Sequence, residues 1–454
     1  MIDQAIGARR MARRTVLAAS LLAVVGATVA RDTPVTVSRV ADDSVRTVYL
    51  RVGAGDEGLL YEPISPDAKA RVALILARPD GNSFGAPPAR EMARRGYRVL
   101  ALNHHGDFPE AEDFAQPLSQ AIGYLHTLPG VERVVYLAHA GGGHLSAWYE
   151  NVAEHGPAAC QGPEKIYPCD GKRLTGLAKL DGIVFLDATL GAFHEMSSLD
   201  PAASGDKRLA ALDMFSPANG YDPATGGAHY AEKFKKQFYA AQAARAADLL
   251  KQAGARLDLL KRGKGQFSDD EPLVVRGLGE EAAGARLYLA DVSLVAHTKM
   301  PHTVLKVDGT ETETIVTSVR PPLGRQYAGA VNTLRVMSQE TTVRHFLTHS
   351  AIRLGADFAI TEDDIVGVDW RSATSSLPAN AEGIGVPTLI LSGTCHYLVV
   401  PAEIVFDHLG SRDKTLAYVE GASHSFAPCG AEYGDTVRRA FDYVDAWLGN
   451  TQRF

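Results

Sequence analysis

The chain has 454 residues, of which 46% are hydrophobic and 22% charged, and its formal net charge is -7. This length allows one large globular domain with a substantial insertion. The mild negative charge, without a basic stripe of interleaved aromatic residues, argues against nucleic acid as a partner. The sequence contains no internal repeat and no low-complexity tract.

The first 30 residues have the features of an export signal. Four arginines within residues 9–14 precede an apolar stretch at 16–29, which ends in small residues suited to cleavage. The pair Arg13-Arg14 resembles a twin-arginine signal. We therefore expect residues 1–30 to be a signal peptide and the protein to be secreted or periplasmic, with no stable membrane span after cleavage. The alternative is an uncleaved membrane anchor.

Four cysteines fall into two natural couples. Cys160 and Cys169 bracket a short loop, whereas Cys395 and Cys429 each follow a predicted strand. In an exported chain such couples favour two disulfides. The alternative is four free buried thiols.

A regular alternation of strands and helices follows the signal segment. An antiparallel lead-in at 45–51 and 59–62 precedes a buried strand at 71–77, and a second strand at 97–103 ends in a pair of histidines. Paired histidines indicate a metal only when further ligands converge, and no suitably spaced ligand is visible. We expect no metal and no cofactor.

Residues 134–143 form the most informative stretch. Val134-Val135-Tyr136-Leu137 predicts a buried parallel strand, three glycines follow at 141–143, and helical spacing resumes at His144. This strand–turn–helix matches a nucleophile elbow, in which a serine stands at the tip of a strained turn. Ala140 occupies the position of that serine.

On these residues the chain resembles an α/β-hydrolase. The resemblance implies an α/β fold with a mostly parallel sheet flanked by helices and a large cap or lid insertion. It divides the chain into residues 31–189 and 386–454 as two parts of the core, with residues 190–385 as the insertion. Such a cap normally shapes the substrate pocket, and the alternative is a structural or oligomerising insert.

Within the insertion, the pattern predicts four stretches of secondary structure. These are an amphipathic helix at 228–260, β-like runs at 287–296 and 303–319, and a further helical stretch at 327–354.

The resemblance also assigns candidate catalytic residues. His424, just after the last predicted strand, matches the catalytic histidine. Asp187 ends the strand after the elbow helix, where a minority of the family carries the acid that orients this histidine. The more usual acid position holds His396, which cannot act as an anion. Glu403 or a residue of the cap is the alternative acid, and a third reading is that no acid works.

An acyl-transfer site also needs donors for the oxyanion. By position these are the N–H of Gly141 and an amide of the loop at 78–82, for which we take Gly81; the alternative for Gly81 is an ordinary surface turn. His396 and His139 are candidate substrate contacts. His396 either contacts substrate and shares a proton network or is a wall of the pocket, and His139 is a packing residue in most of the family.

We therefore expect an exported hydrolase of an ester, lactone or related acyl bond in a small molecule, working by a Ser-His-Asp mechanism. Ala140, which lacks the attacking oxygen, marks either an engineered replacement or a natural loss. One alternative is a non-hydrolytic ligand-binding protein or pseudoenzyme. Another is a serine-independent, lyase-like activity of His424 and His396.

Overall fold

The computed structural model describes residues 44–53, 55–79, 81–204, 207–278, 284–322 and 338–454. The predicted signal peptide lies outside the described residues. The described residues form one compact unit. Among the described helices, none has the length and apolar character needed to cross a bilayer.

A ten-stranded sheet is the centre of this unit. Its order is β1-β2-β4-β3-β5-β6-β15-β16-β10-β11. The strands are β1 (Val45–Val52), β2 (Asp56–Pro63), β3 (Val72–Ala77), β4 (Arg98–Asn103), β5 (Arg133–His139), β6 (Gly182–Leu186), β10 (His297–Leu305), β11 (Glu311–Thr317), β15 (Thr388–Gly393) and β16 (Lys414–Val419). Neighbours from β4 to β10 pair in parallel, whereas β1, β2 and β11 join as antiparallel strands.

The central strands are mostly apolar, as suits a sheet whose two faces are both covered by helices. Every residue of β3, β6 and β15 is buried, as expected for parallel strands. The larger helices are α1 (Pro87–Arg94), α2 (Ala111–Thr127), α3 (Gly142–His155) and α5 (Glu232–Lys261), with Val399–His408 and Thr436–Leu448 near the end of the chain. The antiparallel lead-in and the two predicted strands before the elbow are confirmed.

Two apolar cores lie on opposite faces of the sheet. Met92 of α1 and Phe441 of the last helix belong to one core. Phe114 of α2, Trp148 of α3 and Val400 belong to the other. The carboxyl ends of the parallel strands meet at one edge between these layers, which is where ligands bind in open α/β sheets.

The predicted insertion at 190–385 contributes two strands to the central sheet. β10 pairs in parallel with β16, and β11 forms a hairpin with β10. The rest contains α4 (Ala192–Met196), α5, α6 (Leu287–Ala290) and the short helices Val343–His345 and Leu377–Ala381. Its remaining strands pair two by two: β7 (Ala203–Ser204) with β8 (Lys207–Arg208), β9 (Pro272–Arg276) with β12 (Ser338–Thr342), and β13 (Arg353–Ile360) with β14 (Ile365–Asp369).

Two expectations for this segment are wrong in part. The run at 287–296 begins as the helix α6 and contains no strand, because a short apolar run fits a buried helical turn as well as a strand. The helical stretch at 327–354 contains β12 and the start of β13 among its described residues.

Both expected disulfides are present. Cys160 pairs with Cys169, with Cα atoms 5.5 Å apart. Cys395 pairs with Cys429, with Cα atoms 6.4 Å apart. The second bridge joins the loop after β15 to the loop after β16.

Candidate active site

The turn between β5 and α3 is strained at one residue. β5 ends at His139, α3 begins at Gly142, and Ala140 between them has φ of 53°. A side chain on Gly142 would lie 2.8 Å from the carbonyl oxygen of Ala77, and one on Gly143 would lie 2.4 Å from the Cβ of Ala188. The glycines are therefore required because the helix starts directly against neighbouring backbone.

Hydrogen bonds hold the backbone of Ala140 from three sides. Its N–H donates to the carbonyl of Leu186 at 3.3 Å, and its carbonyl accepts from the N–H groups of Gly143 at 3.1 Å and Thr189 at 3.2 Å. These bonds tie the turn to the end of β6. They place Asp187, the next residue after Leu186, beside the elbow.

Asp187 also has a left-handed backbone, with φ of 43°, a conformation that aspartate tolerates better than most residues. Its side chain is 1% exposed. One carboxylate oxygen, Oδ1, accepts hydrogen bonds from the hydroxyl of Ser392 and from the N–H of Gly393 at 3.3 Å. The other, Oδ2, faces two histidines.

His424 and His396 both approach Oδ2. The Nδ1 of His424 donates to it at 2.7 Å. The Nδ1 of His396 is 2.8 Å from the same oxygen, but this buried nitrogen makes no well-aligned hydrogen bond. The two rings lie 4.8 Å apart at 33°. The structure thus brings Asp187, His424 and His396 together at the carboxyl ends of β6, β15 and β16.

Asp187 is held as an anion. Burial by itself would raise the pKa of this carboxyl, but the nearby imidazoles of His396 and His424 outweigh burial and hold the pKa far below its ordinary value. Burial lowers the pKa of His396, against the opposing effect of Asp187. The arrangement fixes a negative charge next to two imidazoles, which is the requirement for orienting a histidine that transfers protons.

His139 lies behind His424. Its Nε2 donates to the carbonyl of His424 at 3.0 Å, and the rings are 4.8 Å apart. Burial, together with the nearby His424, lowers the pKa of His139 to about 4. A neutral, buried ring that hydrogen-bonds backbone supports the loop of His424.

The loop after β3 contacts the elbow through its first residues. Among the described residues, the N–H groups of Gly141 and Arg78 have no hydrogen-bond acceptor, and the side chain of Arg78 borders Gly142. Gly81 is exposed and lies against the side chain of Arg78. Gly141, one of the two expected donors, thus keeps its N–H unpaired among the described residues.

Glu403, the alternative acid, has other partners. It is 3% exposed and accepts from the N–H groups of Lys299 at 2.8 Å and Met300 at 2.9 Å. Its Oε1 is also 2.8 Å from the Nε2 of His302. These contacts fasten the helix Val399–His408 to β10.

The same three side chains are the candidate metal ligands in the described part of the chain. One ligand atom from each of Asp187, His396 and His424 lies within 4.8 Å of the others. Ligands on a tetrahedral zinc ion stand about 3.3 Å apart, for bonds of about 2.0 Å. The Nδ1 atoms of His424 and His396 lie 2.7 and 2.8 Å from Oδ2, closer than two ligands of one such ion.

Two cavities flank this cluster. One is lined mainly by apolar side chains and by Tyr397, which follows His396. The other borders Pro79 and Leu145, on the elbow side. Their volumes of about 10 Å³ and about 20 Å³ leave room for about one water molecule each, so neither holds a small-molecule ligand in this conformation.

Sequence reasoning missed three residues here. Ser392 holds the acid in place, and Val295, which lines the smaller cavity, has φ of 45°. His194 lines the same cavity, and burial with nearby Arg286 keeps its pKa well below the ordinary value. The polar residue within the otherwise apolar run of β15 was a signal for Ser392; no local pattern marks the other two.

The strand order from β1 to β16, the strand–turn–helix at Ala140 and the histidine after β16 define an α/β-hydrolase fold. The chain has this fold. No protein-family model matches its sequence, and no curated protein does.

Solved structures of low similarity cover most of the chain. A hypothetical protein from Pseudomonas aeruginosa is 14% identical, over 89% of this chain and 94% of that one, with a TM-score of 0.41. An alpha/beta hydrolase from a Penicillium species is 11% identical over 90% and 99%, with a TM-score of 0.40. A dienelactone hydrolase from Anabaena variabilis is 10% identical over 89% and 97%, with a TM-score of 0.35. These values assign neither a substrate nor a reaction to this chain.

Proposed function

We propose that this chain carries the site of a hydrolase for an ester, lactone or related acyl bond, with Ala140 at the position of the nucleophile. The observation that carries the proposal is the 2.7 Å hydrogen bond from His424 to the buried Asp187. This pair is the proton-transfer half of a Ser-His-Asp site.

With a serine at position 140, the groups present complete an acyl transfer. The serine oxygen attacks the carbonyl carbon, and Nε2 of His424 takes its proton. The N–H of Gly141 and an amide of the loop at 78–82, Gly81 in our assignment, receive the oxyanion. His424 then protonates the departing alcohol, and a water activated by His424 releases the acid. As it stands, with Ala140, the chain binds the ester without forming the acyl-enzyme.

The proposal includes export. Two disulfides suit an oxidising compartment, and residues 1–30 supply the signal expected from the sequence. We therefore propose that the mature protein is secreted or periplasmic.

The first experiment compares hydrolysis of short and medium aryl esters by the parent and by Ala140→Ser. Loss of an elbow serine costs roughly 10⁶-fold in rate in related chemistry, so the serine variant should exceed the parent by several powers of ten. Adding Asp187→Asn or His424→Ala to Ala140→Ser should abolish the gain. The matched control is Ala240→Ser, an exposed alanine of α5, which should give none.

A specific observation favours a second candidate. His396 approaches the same carboxylate as His424, so two imidazoles stand at the site without any nucleophile. That arrangement suits serine-independent proton transfer, or ligand binding without turnover. If Ala140→Ser hydrolyses no ester while ester analogues still raise the melting temperature of the parent, the hydrolase proposal is wrong and this candidate replaces it.

A further inference from the structure

The feature that the proposed mechanism leaves unexplained is His396. One carboxylate is enough to orient one histidine, yet Asp187 faces two. Four groups surround its two oxygens: Ser392 and Gly393 at Oδ1, and His396 and His424 at Oδ2. An ionised carboxylate has about four lone-pair positions; three are used by the hydrogen bonds of Ser392, Gly393 and His424, and His396 lies against the remaining one.

The two histidines use Oδ2 unequally. The N–H of His424 is aligned with the oxygen, whereas the Nδ1 of His396 is equally close but misaligned and has no hydrogen-bond partner. A bare lone pair so near an anionic oxygen would be repelled, which favours the tautomer with the proton on Nδ1. The positive end of that N–H dipole then lies beside Oδ2, the oxygen that stabilises the positive charge of a protonated His424.

We propose that His396 is a positioning residue that divides the Asp187 carboxylate between two imidazoles and so makes His424 a weaker base than it would be with sole use of that carboxylate. The inference rests on the proposed role of His424 as the base. Its physical cause is local: a carboxylate stabilises an imidazolium less when a second donor already draws on the same oxygen.

The environment of His396 keeps it in this role. Its side chain is 15% exposed, and the ring of Tyr397 packs against it at 4.1 Å. The neighbouring disulfide of Cys395 anchors its loop. The other titratable or charged groups that act on His396, His424 or Asp187 from the elements packed around them are His139, His194, Arg320 and Tyr418.

The test measures the titration midpoint of His424 directly, by NMR of imidazole-labelled protein, with the signal assigned by comparison with His424→Ala. In the parent chain, His396→Phe removes the donor but keeps a ring. We expect the midpoint to rise by about 0.5–1 unit, the lower end of the usual effect of a nearby charge. His396→Asn places an amide N–H where Nδ1 stood, so its midpoint should stay close to that of the parent.

The matched control is His302→Phe. His302 is also paired with a carboxylate, that of Glu403, but it does not contact Asp187, so the His424 midpoint should not move. An unchanged or lowered midpoint in His396→Phe overturns the inference, as does an equal rise in His302→Phe or in His396→Asn.

Activity gives an independent readout. In the Ala140→Ser background, the acid limb of the pH profile of kcat/KM should move to higher pH with His396→Phe and remain in place with His396→Asn. Should Ala140→Ser prove inactive, the proposed function fails, while the NMR titration of the parent still decides the role of His396.

Discussion

Gly143 shows at the scale of one residue how little space the elbow leaves. A methyl group there would stand 2.4 Å from the Cβ of Ala188, which lies just after the acid. Neither atom belongs to a flexible side chain end, so backbone must shift to make room. The two chain segments that carry the nucleophile position and the acid are packed in direct contact.

Gly143→Ala should therefore destabilise the protein even though alanine favours helices. Overpacking costs about 1–3 kcal/mol, more than the gain of about 1 kcal/mol in helix propensity in most cases. Urea unfolding measures the difference. The control is Gly123→Ala in α2, where a side chain meets nothing within 4 Å and should stabilise by about 0.5–1 kcal/mol. Equal stability of the Gly143→Ala variant and the parent would contradict the packing argument.

The residues of the site were only partly predictable from the sequence. Chain order placed His424 and Asp187 just after two strands of the parallel sheet, and the structure brings them together across the strand between, β15. The shared use of Asp187 by His396 could not be foreseen, because it depends on the rotamers of both rings. The strain at Val295 likewise follows from tertiary contacts, among them the hydrogen bond from its N–H to Thr361.

At the scale of elements, the two loops that carry His396 and His424 are joined by the disulfide between Cys395 and Cys429. The sequence separation it spans is 34 residues, against 9 for the bridge between Cys160 and Cys169. In the chain-entropy model, closing the longer loop stabilises the fold by about 4 kcal/mol and closing the shorter loop by about 2.7 kcal/mol. The bridge between Cys395 and Cys429 also fixes the relative position of the imidazoles of His396 and His424.

Replacing Cys395 and Cys429 together by serine should thus cost about 4 kcal/mol of the free energy of unfolding and also weaken the activity restored by Ala140→Ser. The matched pair, Cys160→Ser with Cys169→Ser, should cost less and leave that activity intact. Denaturant unfolding and ester hydrolysis measure the two effects separately. Equal loss of activity in both double variants would show that the bridge between Cys395 and Cys429 has no special role at the site.

Continuous apolar runs identified the buried strands β3, β5 and β6 because both sheet faces are covered. The same logic failed at 287–296, where a short apolar run folds as α6. It was also silent on the addition of β10 to the sheet, since pairing with β16 joins residues more than a hundred positions apart. Local pattern predicts an element, whereas its partner is set by the rest of the fold.

At the scale of the whole molecule, buried titratable groups should determine how stability varies with pH. Burial lowers the pKa of His139 to about 4 and the pKa values of His144 and His345 to about 3. Between pH 4 and 6.5 the unfolded chain binds protons that the folded chain refuses. The contribution of these histidines to stability therefore falls as the pH drops below 6.5.

Five described carboxyls act in the opposite sense because burial raises their pKa values: Glu110, Glu112, Glu150, Asp200 and Asp407. Burial raises the pKa of Glu110 to about 7 and of Glu150 to about 8, so the folded protein holds protons that the unfolded chain releases above pH 4.5. Their contribution is lost as the pH rises to 8. Above pH 6.5 the histidines no longer titrate, so we expect the free energy of unfolding to fall from there to pH 8.

Glu150→Gln should flatten the alkaline side of this curve. Glu150 is fully buried and accepts from the N–H of Leu180 at 3.0 Å, a bond that glutamine can retain. Each titrating group contributes about 1.4 kcal/mol per pH unit where it titrates. Chemical denaturation at pH 6.5, 7.5 and 8.5 measures the slope. Glu340→Gln, at an exposed position of β12, should leave the slope unchanged, and a parent curve without an alkaline decline would refute the assignment.

The backbone bonds that fix Ala140 have a practical consequence. Leu186, Gly143 and Thr189 hold the turn through main-chain atoms alone, so the geometry of the elbow does not depend on which small side chain stands at its tip. The alanine form is therefore a ready-made bait: immobilised and exposed to mixtures of natural esters, it should retain intact the compound that its serine counterpart would cleave, and elution followed by mass spectrometry would identify that compound.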